Sequence, residues 1–198
     1  QAVLHCAGIV HKGNRVSADK YHDINVEYPI HLAKLAKSKG VKHFMFLSSV
    51  SVYGAQTHID ELSVCKPSNA YGHSKFKAEE ELLKLNSGDF KVSILRIPMV
   101  YGRRAPGNIN LLCKLVTYMP LIPLGNISNK RSFIAIQNLI YSMHQILMQN
   151  KPGIFLLADD AAISTSRLLE ILINSRAKKR VLFNSSTSEF LVRNLSPS

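Results

Sequence analysis

Two kinds of hydrophobic pattern alternate along the chain. Short contiguous apolar runs occur at "AVLHCAGIV" (residues 2–10), "VKHFMFLSS" (41–49), "FKVSILRI" (90–97) and "GIFLLAD" (153–159). Runs of this length bounded by small or polar residues predict buried strands. Between them lie segments with apolar residues at helical spacing. Residues 17–39 carry Ile24, Ile30, Leu32 and Leu35 in that phase and stop at Gly40. Pro29 is expected to sit awkwardly inside that helix, because it has no N–H and crowds the preceding turn. A second helix starts after the Pro67-Ser68-Asn69 signal and ends near Asn86-Ser87-Gly88. Pro98 closes the third strand.

Strands that alternate with long helices predict a parallel sheet with crossover helices. In such sheets a ligand sits beyond the carboxyl ends of the strands. Here those ends carry Ala7-Gly8, Ser48-Ser49 and Pro98, all small or polar. From about residue 105 the pattern changes. A helix over roughly 108–118 leads into "MPLIPLGNISNKRSF", which reads as a substrate-facing loop. A helix over 135–149, a strand over 153–158 and a helix from about Ser164 to Ser175 follow. The stretch "FNSSTSEFLVRNLSPS" has weak pattern and reads as a frayed end. The expected division is 1–104 as the sheet domain and 105–198 as mainly a substrate region. Helix 135–149 and strand 153–158 return to the sheet.

Composition narrows this picture. A hydrophobic content of 46% over 198 residues supports a real core, and 19% charged residues is too few for a disordered chain. No apolar run reaches membrane-spanning length. Cys6, Cys65 and Cys113 are scattered and lack zinc spacing, so they read as reduced thiols of a cytoplasmic protein. His5, His11, His73 and His144 form no ligand cluster, and no metal site is expected. The net charge of +12 raises a nucleic-acid reading. Its densest cluster, Arg176 to Arg180, ends a helix-like segment where cations suit the helix dipole, and no aromatics interleave with it. An anionic small molecule accounts for part of the charge at least as well.

The candidate chemistry lies in "PSNAYGHSKFKAEEELLKL", residues 67–85. Tyr71 and Lys75 stand one turn apart and share a helix face. As an acid–base pair, the lysine charge would lower the phenol's pKa. The strand before this helix delivers Ser48 and Ser49 to its carboxyl end. A serine hydroxyl, a phenol and an ammonium can thus converge at one sheet edge. Such a group suits hydride transfer at a carbinol carbon: the phenolate takes the hydroxyl proton, the serine bonds the same oxygen, and the lysine holds the phenol's pKa down and binds a ribose.

In order along residues 2–160, the chain resembles the extended short-chain dehydrogenase/reductases of the NAD-dependent epimerase/dehydratase kind. The resemblance rests on "VLHCAG", "INVEYPIHLAKLA", "LSSVSVYG", "YGHSK", "RIPMVYG" and "KRSFIAIQNL". It implies a Rossmann-like doubly wound α/β sheet with a small substrate-binding subdomain. It implies Ser49, Tyr71 and Lys75 as catalytic residues. NAD is the implied cofactor, with NADP the alternative, and Ala7, Gly8, Asn25, Ser48, Tyr71, Lys75 and Pro98 are the residues placed against it. Ser49, Asn108, Pro123, Leu124 and Arg131 are placed against a nucleotide sugar, with Arg131 on its diphosphate. Each carries an alternative: Ser48 as a strand-end hydrogen bonder, Asn25 as a backbone clamp, Asn108 as a helix cap, Arg131 as a solvated neighbour of Lys130, and Pro123 and Leu124 as loop packing.

The chain departs from the family in three places. The GxxGxxG fingerprint does not occur in these residues, and the resemblance leads one to expect two further βαβ-sized pieces, roughly 60 residues at about 30 each, ahead of Gln1. More chain is also expected after residue 175, so the sequence reads as part of a longer protein with an incomplete sheet. The asparagine of the first long helix is followed by Val26, Glu27, Tyr28 and Pro29 instead of the family's usual glycine and threonine. After Ser49 stand Val50 and Ser51, where 4,6-dehydratases usually carry an acidic pair. Dehydration is therefore disfavoured. An epimerase and a 4-keto-sugar reductase need the same three groups, and both readings stand. The expected substrate is a UDP-hexose or UDP-N-acetylhexosamine, reacting at C4 in surface-polysaccharide assembly. The expected assembly is a homodimer through helices 17–39 and 71–86. A non-catalytic sensor of NAD or nucleotide sugar, another dehydrogenase of the family, and a basic nucleic-acid-binding module are the alternatives.

Overall fold

The structure is a computed structural model that describes residues 1–10, 16–102, 108–122, 124, 127, 129–174 and 181–182. Four strands form one parallel sheet: β1 (Ala2–His5), β2 (His43–Ser49), β3 (Lys91–Ile97) and β7 (Gly153–Leu156), in that order across the sheet. Between β1 and β2 run α1 (Ala18–His22) and α2 (Tyr28–Ser38). Between β2 and β3 runs α3 (Ala70–Leu83), and α5 (Ile136–Met148) precedes β7. The sheet is thus the α/β arrangement that the alternating pattern predicts.

The chain divides into two compact units. The first comprises 1–98 and 138–157 and holds this sheet; the second comprises 99–137 and 158–197. In the first unit Phe44, Phe46, Val92 and Ile94 share one face of the sheet and pack on Ala33, Ala36, Ala78 and Leu82 of the helices. This is the period-two alternation of a strand meeting the 3.6 period of a helix. Each of these large side chains is completely buried and contributes roughly 1.5–3 kcal/mol.

Pro29 is accommodated, contrary to the sequence expectation. The helix widens into a π-turn over Asp23–Glu27 and resumes at α2, with Pro29 in the first turn of the new segment. The Tyr28 N–H bonds the Asp23 carbonyl, five residues back. Pro29 therefore sits where a helical N–H needs no partner. The helix ends near where the sequence places its stop, with Gly40 at φ 75°.

In the second unit, β4 (Met99–Tyr101) pairs in parallel with β6 (Phe133–Ala135), and β5 (Leu121–Ile122) pairs with β8 (Val181–Leu182). Parts of the segment expected to be loop, residues 119–133, are thus short strand. Helices α4 (Asn108–Tyr118) and α6 (Thr165–Asn174) contribute Leu112, Val116 and Leu169 to a cluster that also holds Ile122, Leu124 and Ile127. The basic cluster 176–180 and the tail from residue 183 lie outside the described residues.

Candidate active site

Helix α3 carries the site, and its start is fixed by a cap. The Asn69 side chain accepts a 2.8 Å hydrogen bond from the Gly72 N–H, satisfying one of the free donors of the first turn. Gly72 permits a close approach. A Cβ there would lie 2.6 Å from the Ser51 carbonyl oxygen and 3.1 Å from Pro67 Cβ. The head of α3 therefore rests against the turn Val50–Tyr53 that follows β2. This brings the Tyr71 phenol close enough to Ser49 for the serine to pull its pKa down.

Tyr71 and Lys75 lie one turn apart on α3, as the spacing predicts. Burial pushes the Tyr71 pKa up, with Tyr21 adding to the rise; Ser49 pulls it down. The Lys75 ammonium reaches back to the strand before it. It donates 2.9 Å to the Leu47 carbonyl and sits 4.4 Å over the centre of the Phe46 ring. Burial lowers its own pKa from 10.5 to about 8, against the raising pull of Glu79 and Cys6. The lysine charge reaches His5 and Cys6 on the β1 side of the site. The His5 pKa is lowered by burial first and by Lys75 second, and the Cys6 thiol is raised by burial and lowered by Lys75.

Asn25 is a clamp on the loop after β1. Its Oδ1 accepts from the Ile9 N–H at 2.8 Å, and its Nδ2 donates to the Ile9 carbonyl at 3.0 Å and to Ser74 Oγ at 3.1 Å. Ser74 in turn donates to the Tyr71 carbonyl at 2.8 Å. The clamp holds Ala7 and Gly8 exposed at the strand end. A Cβ on Gly8 would stand 3.0 Å from Asn25 Oδ1 and 3.4 Å from Lys75 Nζ. The glycine thus keeps space open beside the ammonium. Pro98 is buried at the end of β3.

Ser48 and Ser49 part company. Ser48 is in phase with Phe44 and Phe46, and its buried hydroxyl donates to Glu79 of α3. This contact matches the strand-end hydrogen bonder given as the alternative for Ser48. Glu79 is 1% exposed and pairs with Arg96 of β3, Nη2 to Oε2 at 2.6 Å and Nε to Oε2 at 3.0 Å. Arg96 also donates 2.9 Å to the Tyr53 hydroxyl. Burial opposes the Arg96 charge, but the bonds and attraction of Glu79 more than offset it and raise its pKa. The sequence reading missed this pair, though a signal existed. Glu79 shares the helical stripe of Lys75, Ala78 and Leu82, all buried, whereas Glu80 and Glu81 do not.

Leu124 and Arg131, two of the residues expected against a nucleotide sugar, belong to the second unit. Leu124 is core, 2% exposed among Leu112, Val116 and Leu169, and its carbonyl accepts from Ser166 at 2.7 Å. Its side chain packs on α4 and α6, which matches the packing alternative given for Leu124. Arg131 is half-buried, and its backbone bridges Ile163 with two 3.0 Å bonds. Burial lowers the Arg131 pKa. Asn108 opens α4, but its side chain, like Pro123, lies outside the described residues. Among the described residues, no group of three or more His, Cys, Asp or Glu side chains could hold a metal, and no helix is long and apolar enough to cross a membrane.

Residues 1–158 match the NAD dependent epimerase/dehydratase family. The chain belongs to that family. It is 32% identical over 181 residues to a UDP-glucose 4-epimerase of Vibrio cholerae, covering 86% of this chain and 55% of the relative. It is 30% identical over 134 residues to an N-acetyl-α-D-glucosaminyl-diphospho-ditrans,octacis-undecaprenol 4-epimerase of Escherichia coli O157:H7, covering 66% of this chain and 40% of the relative. The chain thus spans about half the length of the curated relatives it matches. The fold is that of UDP-N-acetylglucosamine 4-epimerase from Bacillus cereus, at a TM-score of 0.80 and 21% identity over 93% of this chain and 65% of that one. It is also that of Bordetella bronchiseptica WbmG in complex with NAD, at a TM-score of 0.76 and 23% identity over 93% and 58%.

Proposed function

We propose that the complete protein is an NAD-dependent nucleotide-sugar 4-epimerase acting at C4 of a UDP-hexose or UDP-N-acetylhexosamine. The observation that carries this reading is the meeting of Ser49, Tyr71 and Lys75 at the carboxyl end of a parallel sheet. The names of the relatives support the substrate class.

Bound NAD supplies a reversible hydride acceptor for C4. Tyr71 takes and returns the proton of the C4 hydroxyl, and Ser49 hydrogen-bonds the same oxygen. Burial keeps the phenol protonated at neutral pH, so proton return is its easier direction; Ser49 favours the phenolate needed for the forward step. Gly8 and the Asn25 clamp leave room beside Lys75, whose ammonium would meet the ribose of the cofactor. The nucleotide diphosphate is assigned to Arg131. A soluble homodimer through 17–39 and 71–86, serving surface-polysaccharide assembly in the cytoplasm, completes the proposal.

Two measurements test it. Saturable quenching or enhancement of NADH fluorescence by this chain is expected if its residues suffice for the cofactor. In the complete gene product Tyr71→Phe is expected to cost about 10²–10⁴-fold in kcat with UDP-glucose or UDP-N-acetylglucosamine, and to spare sugar binding. Undiminished turnover by that variant sinks the assignment.

A further inference from the structure

The pair formed by Glu79 and Arg96 touches every element that carries a proposed reacting group. Glu79 lies on α3 one turn beyond Lys75 and two beyond Tyr71. Arg96 lies on β3, opposite Ser48 in the strand register, and Ser48 is the neighbour of Ser49. Ser48 donates to the Glu79 carboxylate, and Arg96 grips it from the side through Nε and Nη2. Arg96 Nη1 then reaches Tyr53, in the turn that follows Ser49, and its guanidinium lies 4.9 Å over the Tyr53 ring. The Cys65 thiol, in the loop leading to α3, lies near enough to Arg96 to have its pKa pulled down by that charge. One buried carboxylate and one guanidinium therefore fasten β2, its following turn, α3 and β3 to each other.

We propose that Glu79, gripped by Arg96, is a positioning residue that sets the height of α3 against the end of β2 and thereby holds Tyr71 in hydrogen-bonding reach of Ser49.

Three physical points carry this. A forked guanidinium–carboxylate contact fixes orientation as well as distance, which a single lysine contact does not. The tie to Ser48 is rigid, because Ser48 belongs to the central sheet. The contact of Gly72 with the Ser51 carbonyl fixes the head of α3, while the Glu79 contacts fix it two turns further on. A helix held at two points on one side has no freedom to slide. Glu79 is also a negative charge on the same helix face as Lys75. The charged and titratable groups around that ammonium are His5 of β1, Cys6 just after it, and Tyr71 and Glu79 on the same face of α3, with Arg96 behind the carboxylate.

The inference rests on reading Ser49, Tyr71 and Lys75 as the reacting groups, but its test does not need turnover. The chain is labelled at tyrosine Cζ with ¹³C, and separately carries ¹³C-methylated lysines. Tyr71→Phe and Lys75→Arg assign the two signals. Ser49→Ala gives the Tyr71 shift expected when its hydroxyl loses Ser49. Glu79→Gln and Arg96→Lys are then compared with the parent at neutral pH. Both are expected to move the Tyr71 signal toward the Ser49→Ala value. Glu79→Gln is expected in addition to lower the Lys75 titration midpoint by about half a unit or more. Arg96→Lys keeps both charges and is expected to leave that midpoint in place. It also carries the test if Glu79→Gln does not fold. A folded variant of either kind with an unmoved Tyr71 signal overturns the proposal, even where its thermal stability has dropped. Absence of epimerase activity in the complete protein would defeat the functional reading and leave this geometry standing.

Discussion

Lys75 Nζ lies 2.9 Å from the Leu47 carbonyl oxygen and over the face of Phe46. An ammonium there is bound to a neutral acceptor and an aromatic face, both weaker partners than the water it has lost. Its pKa falls from 10.5 to about 8 for that reason. The native state therefore holds this proton less firmly than the unfolded chain does. Between about pH 8 and 10.5 the unfolded chain carries more protons, so the Lys75 contribution to stability rises with pH across that window. It is fully present above the unfolded value and is lost as pH falls through about 8. Urea melts of the parent and of Lys75→Met, taken at pH 7, 8.5 and 10, are expected to differ in this sense. A parent whose stability relative to Lys75→Met is flat over the range contradicts it.

Gly72 predicts a substitution whose helix propensity misleads. Alanine is the better helix former by about 1 kcal/mol. Its methyl would nevertheless stand 2.6 Å from a backbone carbonyl, which moves only if the turn moves. Gly72→Ala is expected to lose about 1–3 kcal/mol of stability and to lower kcat of the complete protein about tenfold or more, as Tyr71 is displaced from Ser49. Thermal melts and steady-state kinetics check both halves.

Asn25 predicts a local effect at a distance in sequence. Replacing it by Ala leaves the Ile9 N–H and carbonyl without their partners across the clamp. The expected cost is about 1–3 kcal/mol for each group left unsatisfied. Hydrogen exchange at the Ile9 amide is expected to accelerate strongly, with the Ile94 amide in the middle of β3 slowed as before. Ile9 protection retained in Asn25→Ala would show that the loop is held by something else.

The buried ion pair predicts non-additive stability changes. Glu79→Leu alone leaves the Arg96 charge 7% exposed with only hydroxyl and thiol neighbours, at an expected cost of about 3–5 kcal/mol. Arg96→Met alone does the same to Glu79. The double replacement removes both charges, and its expected cost is less than either single one. Denaturant titrations of the four proteins give the coupling directly; simple additivity would contradict the pairing.

The strands and helices were legible because their signals are local. Contiguous apolar runs, the Asn69 cap and the Pro98 stop each act within a few residues. The π-turn was not legible, since Pro29 argues against a helix until a wider turn removes the need for its N–H. The different directions of Ser48 and Ser49 were readable from strand phase: Ser48 continues the series Phe44, Phe46. Lys75 could not be aimed from spacing alone. A long flexible side chain on the right helix face still chooses among partners supplied by other elements. Leu124 sits in a Pro- and Gly-rich stretch that looks like loop, and only the apolar faces of α4 and α6 claim it for the core. Arg96 sat among the apolar residues Ile94, Leu95 and Ile97, and its partner was one of three successive glutamates, 17 residues away.

That pairing also bears on how such a site can drift. Most positions around it can change one at a time. Glu79 and Arg96 cannot easily do so, because each first step passes through a protein with an unmatched charge in its interior. The cost of that step, about 3–5 kcal/mol, is a large share of the 5–15 kcal/mol that holds a typical domain folded. Descendants of this sequence are therefore expected to inherit both residues or to have exchanged both.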